Sequence, residues 1–169
     1  KVREMPDGSR PLKFRLFARQ ESNTSQQSVQ FMQGWLRDIG IATEVKVVEE
    51  NRLTEIIGQG EFDMFEWGWV VEPDPDYQLS TFTCGSRSYK SGGDVLANLS
   101  DSFYCNPTYD KLYHEQQSLD GAAREKVVLQ MQKMLYTDDP YAVLYYPNDT
   151  QAYRSDKFTG FAPSPDKPN

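Results

Sequence analysis

The stretch from residue 12 to residue 48, LKFRLFARQESNTSQQSVQFMQGWLRDIGIATEVKVV, decides the fold of this chain. Apolar side chains alternate with more polar ones in its opening LKFRLFAR, which predicts a strand with one wetter face. The next residues predict a helix that Asn23 or Thr24 caps and that Gly40 ends in the left-handed conformation. ATEVKVVEE, residues 42–50, then predicts a second strand. The stretch is therefore predicted to form a β-α-β unit.

The residues that follow continue the alternation of strand and helix. Leu53, Ile56 and Ile57 predict a short helix that ends in GQG, and FDMFEWGWV at 62–70 predicts a third strand. Because this third strand is almost continuously apolar, we expect both of its faces to be covered. The order β-α-β-α-β predicts parallel pairing through right-handed crossovers.

The second half of the chain has a mainly helical pattern. Asn106 followed by Pro107 is typical of a cap with proline in the first helical turn. The apolar stripe of this helix consists of Tyr109, Leu112 and Tyr113. A further helix is predicted from Asp120 through Leu135 to the closing TDDP, and two late strands are predicted in YAVLYYP, 141–147, and QAYR, 151–154.

Composition limits the classes of function. The 169 residues are enough for one domain with a real core, and 18 basic against 25 acidic residues give a net charge of −7 and a pI near 4.8. Such a chain repels nucleic acid and anionic lipid, and it has no basic patch to overcome this. No apolar run reaches the length that spans a bilayer, and no signal peptide stands at the start. Both ends read as cut from something longer, so we expect a fragment.

The two cysteines, Cys84 and Cys105, enclose a polar segment rich in Gly and Ser, CGSRSYKSGGDVLANLSDSFYC. A disulfide would close this loop and would indicate an oxidising compartment outside the cytoplasm. Two unpaired thiols in a cytosolic protein are the alternative. Neither cysteine lies in a CxxC motif or near spaced histidines, so the sequence does not favour zinc or thioredoxin-type chemistry.

EWGWVVEPDPDYQLSTF, residues 66–82, places aromatic rings and acids where the third strand ends. In open α/β sheets, ligands bind beyond the carboxyl ends of the strands. Large rigid aromatics beside acids held between prolines are typical of a recognition surface that meets a cation. The alternative is structural: Trp67 and Trp69 would lie in the core, and the acids would cap the helix that PDYQLSTF begins.

Several motifs in a fixed order carry a resemblance to a known family. They are GWLRDIGIATEVKVV, GEFDMFEWGWVVEPDPDYQLSTF, CNPTYDKLYHEQQSL, and DDPYAVLYYP followed by QAYRSDKFTGF. From about Leu12 to Phe161 the chain resembles the carboxyl-terminal lobe of the family 5 extracellular solute-binding proteins, which are the peptide, dipeptide and nickel receptors of ABC importers.

The resemblance implies an α/β fold of the class II periplasmic-binding-protein type, with a mainly parallel mixed sheet between two layers of helices. It implies a bilobed receptor in the periplasm or on the outer face of the membrane, which closes on its ligand and delivers it to a membrane permease. Residues 1–169 would then be a single domain, a partial carboxyl-terminal lobe without the amino-terminal lobe. We expect a soluble monomer whose parent protein is membrane-anchored as a lipoprotein.

The resemblance also implies site residues. In peptide-binding members, an aspartate three residues after the tryptophan of a Gly-Trp pair binds the α-ammonium group of the ligand. Here the pair is Gly68 and Trp69, and the acid is Glu72, a glutamate in place of the usual aspartate. The predicted ligand-binding residues are Trp67, Gly68, Trp69, Glu72, Asp74 and Tyr146, with Tyr145 as the alternative to Tyr146. For Asp74 and Asp76, helix capping is the favoured alternative to ligand contact.

Catalysis and resident cofactors have little support in the sequence. His114 is the only histidine and is predicted to lie on the surface of a helix, so we expect no protein-built metal site and no cofactor. Glu66 and Glu72 form a glycosidase pair only if their carboxyl groups have the separation that this reaction requires. Three hypotheses remain: a peptide receptor, the same fold with an oligosaccharide or nickel chelate, and a hydrolase or carbohydrate-binding module.

Overall fold

Three parallel strands form the centre of the first half of the chain. The structure, a computed structural model, describes residues 2–69, 72–87, 89–91, 94–96, 100, 102–148 and 152–160. The strands are Lys13–Arg19 (β1), Ala42–Val48 (β2) and Met64–Phe65 (β3), in the order β2-β1-β3. Lys13 pairs with Ala42 at the start of one ladder, and Leu16 pairs with Met64 in the other. The predicted parallel arrangement is confirmed.

Two helices connect these strands and cover the two faces of the sheet. They are Asn23–Asp38 (α1) and Glu50–Gln59 (α2). On one face, a cluster of Leu16, Ala18 and Val29 packs with Met32, Val45 and Met64. On the other, a cluster of Phe17, Leu53, Ile56 and Ile57 packs with Val48, Phe62, Phe65 and Trp67. The predicted α/β fold with helices flanking a parallel sheet is confirmed.

The N-terminal cap of α1 differs from the prediction. The cap is Ser22, whose backbone is extended and whose hydroxyl accepts a hydrogen bond of 3.1 Å from the backbone N–H of Ser25. Asn23 and Thr24 already have helical geometry, so their side chains cannot cap the helix, and that prediction was wrong. At the other end, Gly40 has φ of 83° and closes the helix as predicted.

β3 is shorter than the predicted strand at 62–70. Only Met64 and Phe65 pair as a strand, and the backbone N–H of Glu66 adds one more hydrogen bond, 3.0 Å, to the carbonyl of Phe17. Val70 lies outside the described residues. The apolar run is explained by burial, because Met64 packs on one face of the sheet and Phe65 on the other.

A second hydrophobic core lies among the helices of the second half. These helices are Asp76–Ser80 (α3), Pro107–Gln116 (α4) and Gly121–Asp138 (α5). Their buried core consists of Leu79, Phe82, Tyr109, Leu112, Val127, Val128 and Met131. The fully buried Tyr109 donates its hydroxyl to the carbonyl of Leu79 at 2.9 Å, which fastens α4 to α3. Asn106 caps α4 as predicted, with Pro107 in the first turn.

The predicted disulfide between Cys84 and Cys105 is present. It closes a loop that contains a short antiparallel pair, Tyr89–Ser91 (β4) and Asp94–Leu96 (β5), which the sequence pattern did not predict. The chain-entropy estimate for a loop of this size is about 3 kcal/mol of stabilisation. The alternative of two unpaired thiols is excluded.

The two late strands are absent from the described residues. Residues 141–148 run without regular structure, and Val143 is 67% exposed. Residues 152–154 also form no strand, and Gln151 lies outside the described residues. YAVLYYP is rich in residues with high β-propensity. A strand also needs a neighbouring strand to pair with, and no described strand pairs with this segment. No helix of the described residues has the length and apolar character needed to cross a membrane.

Candidate functional site

The candidate site begins where β1 and β3 end. Trp67 follows β3 and packs its ring against the cluster beneath α2. The guanidinium of Arg19, the last residue of β1, lies over this ring with 5.0 Å between the guanidinium carbon and the ring centroid. Trp67 is thus held by a cation–π contact above and apolar packing below. Trp67 is half-buried and packs on the core, which agrees with the structural alternative, and its contact with a ligand stays a prediction.

Glu66 is buried next to Trp67, with only 5% of its surface exposed. Its carboxylate accepts hydrogen bonds from the guanidinium of Arg19 at 3.4 Å and from the hydroxyl of Tyr145 at 3.5 Å. Arg19 also lies 3.8 Å from the carboxylate of Glu50. A buried carboxylate needs such compensation, so Glu66 is already paired within the chain. Sequence reasoning missed Arg19 because its partners lie far along the chain.

Gly68 and Trp69 continue the chain at the edge of the sheet. Gly68 is exposed, and a Cβ built on it would meet nothing within 4 Å, so the backbone here faces open space. The half-buried ring of Trp69 contacts the ring of Tyr77 edge to face, with 6.1 Å between centroids. This contact ties Trp69 to α3.

Glu72 opens a short segment that we call the acidic turn, residues 72–76. Its side chain is exposed and forms no hydrogen bond or ion pair with the described residues. The turn runs into α3, whose first residue is Asp76, and two prolines stiffen it. Among the described residues, no side chain engages the carboxylate of Glu72.

Asp74, two residues further on, is held by an arginine. Arg124 in the first turn of α5 donates from both terminal nitrogens to the two carboxylate oxygens of Asp74, each at 2.7 Å. The backbone N–H of Asp76 also donates to Asp74 at 2.9 Å. The hydrogen bonds from Arg124, and then that from the backbone of Asp76, lower the pKa of Asp74 to about 2.

Asp76 contacts α4 instead of capping α3. The N-cap position of α3 is Pro75, which forms no side-chain capping hydrogen bond, and the backbone N–H of the first helical residue is instead bound by Asp74, in agreement with the capping alternative for that residue. The carboxylate of Asp76 accepts hydrogen bonds from the side-chain amide of Gln116 at 2.6 Å and from the hydroxyl of Tyr113 at 3.3 Å. Burial, followed by the charge of Asp76, raises the pKa of Tyr113. The predicted capping role of Asp76 is thus wrong, because its carboxylate is used by another helix.

The two tyrosines of the late segment differ in their surroundings. Tyr145 contacts Glu66 as described above, whereas Tyr146 is 80% exposed. His114 is exposed on α4, as predicted, beside the ring of Tyr113. In the part of the chain that the structure describes, no group of three His, Cys, Asp or Glu side chains could hold a metal ion.

Family membership follows from a match to more than half of the chain. Residues 2–90 match the family described as bacterial extracellular solute-binding proteins, family 5 Middle. The oligopeptide-binding protein AppA of Bacillus subtilis (strain 168) is 30% identical over 142 residues, which are 82% of this chain and 24% of AppA. The chain belongs to the family 5 solute-binding proteins.

Solved structures agree with this fold. The periplasmic binding protein DppA from Helicobacter pylori in complex with peptide STSA is similar with a TM-score of 0.63 and 26% identity, over 76% of this chain and 24% of DppA. A mannohexaose-bound periplasmic oligopeptide-binding protein from Thermotoga maritima has a TM-score of 0.68 and 22% identity, over 82% of this chain and 26% of that one. The chain thus spans about a quarter of the length of the proteins that it matches.

Proposed function

We propose that this chain is part of the substrate-binding component of an ABC importer and that its parent protein captures peptides between two lobes. The chain supplies part of the carboxyl-terminal lobe, and the facing half of the cleft comes from the parent. The parent works outside the cytoplasm, in a periplasm or anchored to the outer face of a membrane, and hands its ligand to a permease. The disulfide between Cys84 and Cys105 supports an oxidising location.

The observation that carries the proposal is the contrast among the acids beyond β3. Glu66 and Asp74 are paired with Arg19 and Arg124, whereas Glu72 is exposed and has no partner among the described residues. A peptide brings an α-ammonium group that must be paired when a closing cleft removes it from water. Glu72 can supply this partner, and because it lies on a stiff turn beside Trp69, little conformational entropy is lost when it pairs with the ammonium group.

An exposed carboxylate at this position favours a peptide over an oligosaccharide or a nickel chelate. Sugar hydroxyls can donate hydrogen bonds to a carboxylate, but they bring no positive charge to compensate it, whereas the α-ammonium group of a peptide does. The Thermotoga maritima protein with mannohexaose shares the fold at 22% identity, so the fold alone does not select the ligand. The ligand assignment therefore depends on Glu72. We propose binding without chemical turnover.

The role of Glu72 is tested with a Glu72→Gln variant of the two-lobed parent protein. We expect this variant to lose about tenfold or more in affinity for peptides with a free amino terminus, because a buried ammonium then has no anion. Affinity for amino-acetylated peptides should change little. Isothermal titration calorimetry measures both. Glu115→Gln, at an exposed acid on α4, is the matched control. Equal losses for free and acetylated peptides would contradict the role.

A further inference from the structure

The hydrogen bonds that fix the acidic turn converge on Arg124. Both terminal nitrogens of its guanidinium donate to Asp74, and its Nε donates to the side-chain carbonyl of Gln116 at 2.9 Å. Every nitrogen of the guanidinium is therefore engaged within the chain. The planar fork of arginine suits this geometry, because two parallel hydrogen bonds fix the carboxylate in orientation as well as in distance.

Gln116 extends this connection to the far end of the turn. Its side chain is fully buried, its carbonyl accepts from Arg124, and its amide nitrogen donates to Asp76 at 2.6 Å. If the amide were flipped, its NH₂ group would face the guanidinium, which is also a donor, and its carbonyl would face the carboxylate of Asp76, which is also an acceptor. Only one orientation of the Gln116 amide therefore satisfies both partners. Asp74 and Asp76 are thus both fastened to the helix pair α4–α5.

The same contacts decide which acid of the turn remains available. Arg124 compensates the charge of Asp74, whereas Glu72, two residues earlier, has no cation among the described residues. Asp76 has no cation either, but it is partly buried and accepts hydrogen bonds from neutral groups of α4. A ligand ammonium that approaches the turn therefore meets one exposed carboxylate without a hydrogen-bond donor among the described residues, that of Glu72. The backbone position of that carboxylate depends on the fixed residues that follow it, because only Pro73 separates Glu72 from Asp74.

We propose that Arg124 is a positioning residue for ligand binding, which acts through Asp74 and Gln116 to hold Glu72 where the ligand's ammonium group arrives. Arg124 itself does not touch the ligand. This inference rests on the proposed function, in which Glu72 binds that ammonium group. Its consequence is energetic coupling between two side chains that do not contact each other.

A double-mutant cycle in the two-lobed parent protein tests the coupling. The probes are alanine peptides of three to five residues with free amino termini, and the same peptides acetylated at the amino terminus. We expect Arg124→Gln to weaken binding of the free peptides by about tenfold, because the turn must be ordered on binding, and to leave acetylated peptides nearly unchanged. In a Glu72→Gln background, Arg124→Gln should cause no further loss.

Three further variants separate positioning from general effects of charge and folding. Lys126→Gln removes a cation from an exposed site on the same helix and should leave both affinities unchanged. Arg124→Lys keeps the charge but not the fork, so it should recover part of the lost affinity. Thermal unfolding shows whether each variant is folded, and if Arg124→Gln is not, Asp74→Asn removes the same ion pair and takes its place in the cycle.

The outcomes separate this inference from the proposed function. Wild-type protein that binds none of the free peptides overturns the proposed function, and the inference falls with it. If the wild-type protein binds these peptides, Glu72→Gln abolishes the binding and Arg124→Gln does not change it, only the inference is overturned. Losses from the two substitutions that add, or an equal loss of free and acetylated peptides in Arg124→Gln, also overturn it, because the effect of Arg124 would then not pass through Glu72.

Discussion

The acids that follow β3 differ in their partners, although they are chemically almost the same. Glu66 is buried against Arg19, Asp74 is held by Arg124, and Glu72 is exposed without a cation among the described residues. A charge that is already compensated contributes little further attraction to a ligand. The partners of each acid, more than its distance from Trp69 along the chain, therefore determine which acid can recognise a cation.

The ion pair of Asp74 makes stability depend on pH in the acid range. The pKa of Asp74 is about 2 in the folded chain, because Arg124 and the backbone of Asp76 donate to it, and an unfolded aspartate has a pKa near 4. The pair therefore stabilises the fold fully above about pH 4, and this contribution is lost as pH falls toward about 2. We expect Asp74→Asn to flatten the fall in unfolding midpoint over this interval.

Circular dichroism at a series of pH values measures these midpoints. Asp139→Asn is the charge-matched control, since the side chain of Asp139 forms no ion pair with the described residues and asparagine tolerates its left-handed backbone. If the Asp74→Asn profile kept the wild-type slope between about pH 4 and pH 2, the ion pair with Arg124 would not stabilise the fold.

The cysteine pairing was predicted from the sequence itself, and the family resemblance led to the proposed roles of Glu72 and Trp69, but neither predicted the partners of the acids. Fifty positions separate Arg124 from Asp74, and 47 separate Arg19 from Glu66. No local pattern connects such residues, because the pairing depends on how the helix pair α4–α5 and the sheet bring distant segments together. The compensated acids could not be distinguished from the available one without the structure.

At the level of single elements, α1 was predicted correctly as a helix, but its N-cap residue was predicted wrongly. Ser22, Asn23 and Thr24 are all good capping residues, so composition alone does not choose among them. The choice depends on which residue keeps an extended backbone, and that residue is Ser22, next to the end of β1. Helix ends predicted from sequence are accordingly less certain than helix cores.

Substitution at the competing caps tests this assignment. We expect Ser22→Ala to lower the free energy of unfolding by about 1 kcal/mol, because the backbone N–H of Ser25 loses its acceptor. Asn23→Ala is the matched control and should have a small effect, since Asn23 lies inside the helix. Urea unfolding of both variants gives the difference, and a larger loss in Asn23→Ala would contradict the assignment.

The segment at residues 141–147 shows that β-propensity alone does not predict a strand. YAVLYYP has the residue types of a strand, and Val143 and Tyr146 are largely exposed where a strand would bury one face. Helices contain their own hydrogen bonds, whereas a strand depends on a neighbour that a sequence window does not contain. For this reason the helices were predicted well, and the late strands and the β4–β5 pair were not.

At the scale of the whole molecule, the acidic turn connects the half that contains the sheet to the half that contains the helical core. The sheet with α1 and α2 ends at Trp67 to Trp69, and the helical half begins at α3, immediately after the turn. Hydrogen bonds from Arg124, Gln116 and Tyr113 attach the turn to the helical half. The candidate site thus lies where the two halves meet, a common position for ligand sites.

The most direct test of the account is to identify what the two-lobed parent protein carries when it is purified. Mass spectrometry of the small molecules released on denaturation should find peptides with free amino termini, and a parallel Glu72→Gln preparation should be depleted of them. Recovery of oligosaccharides or nickel chelates in both preparations, with no peptides in either, would contradict the account.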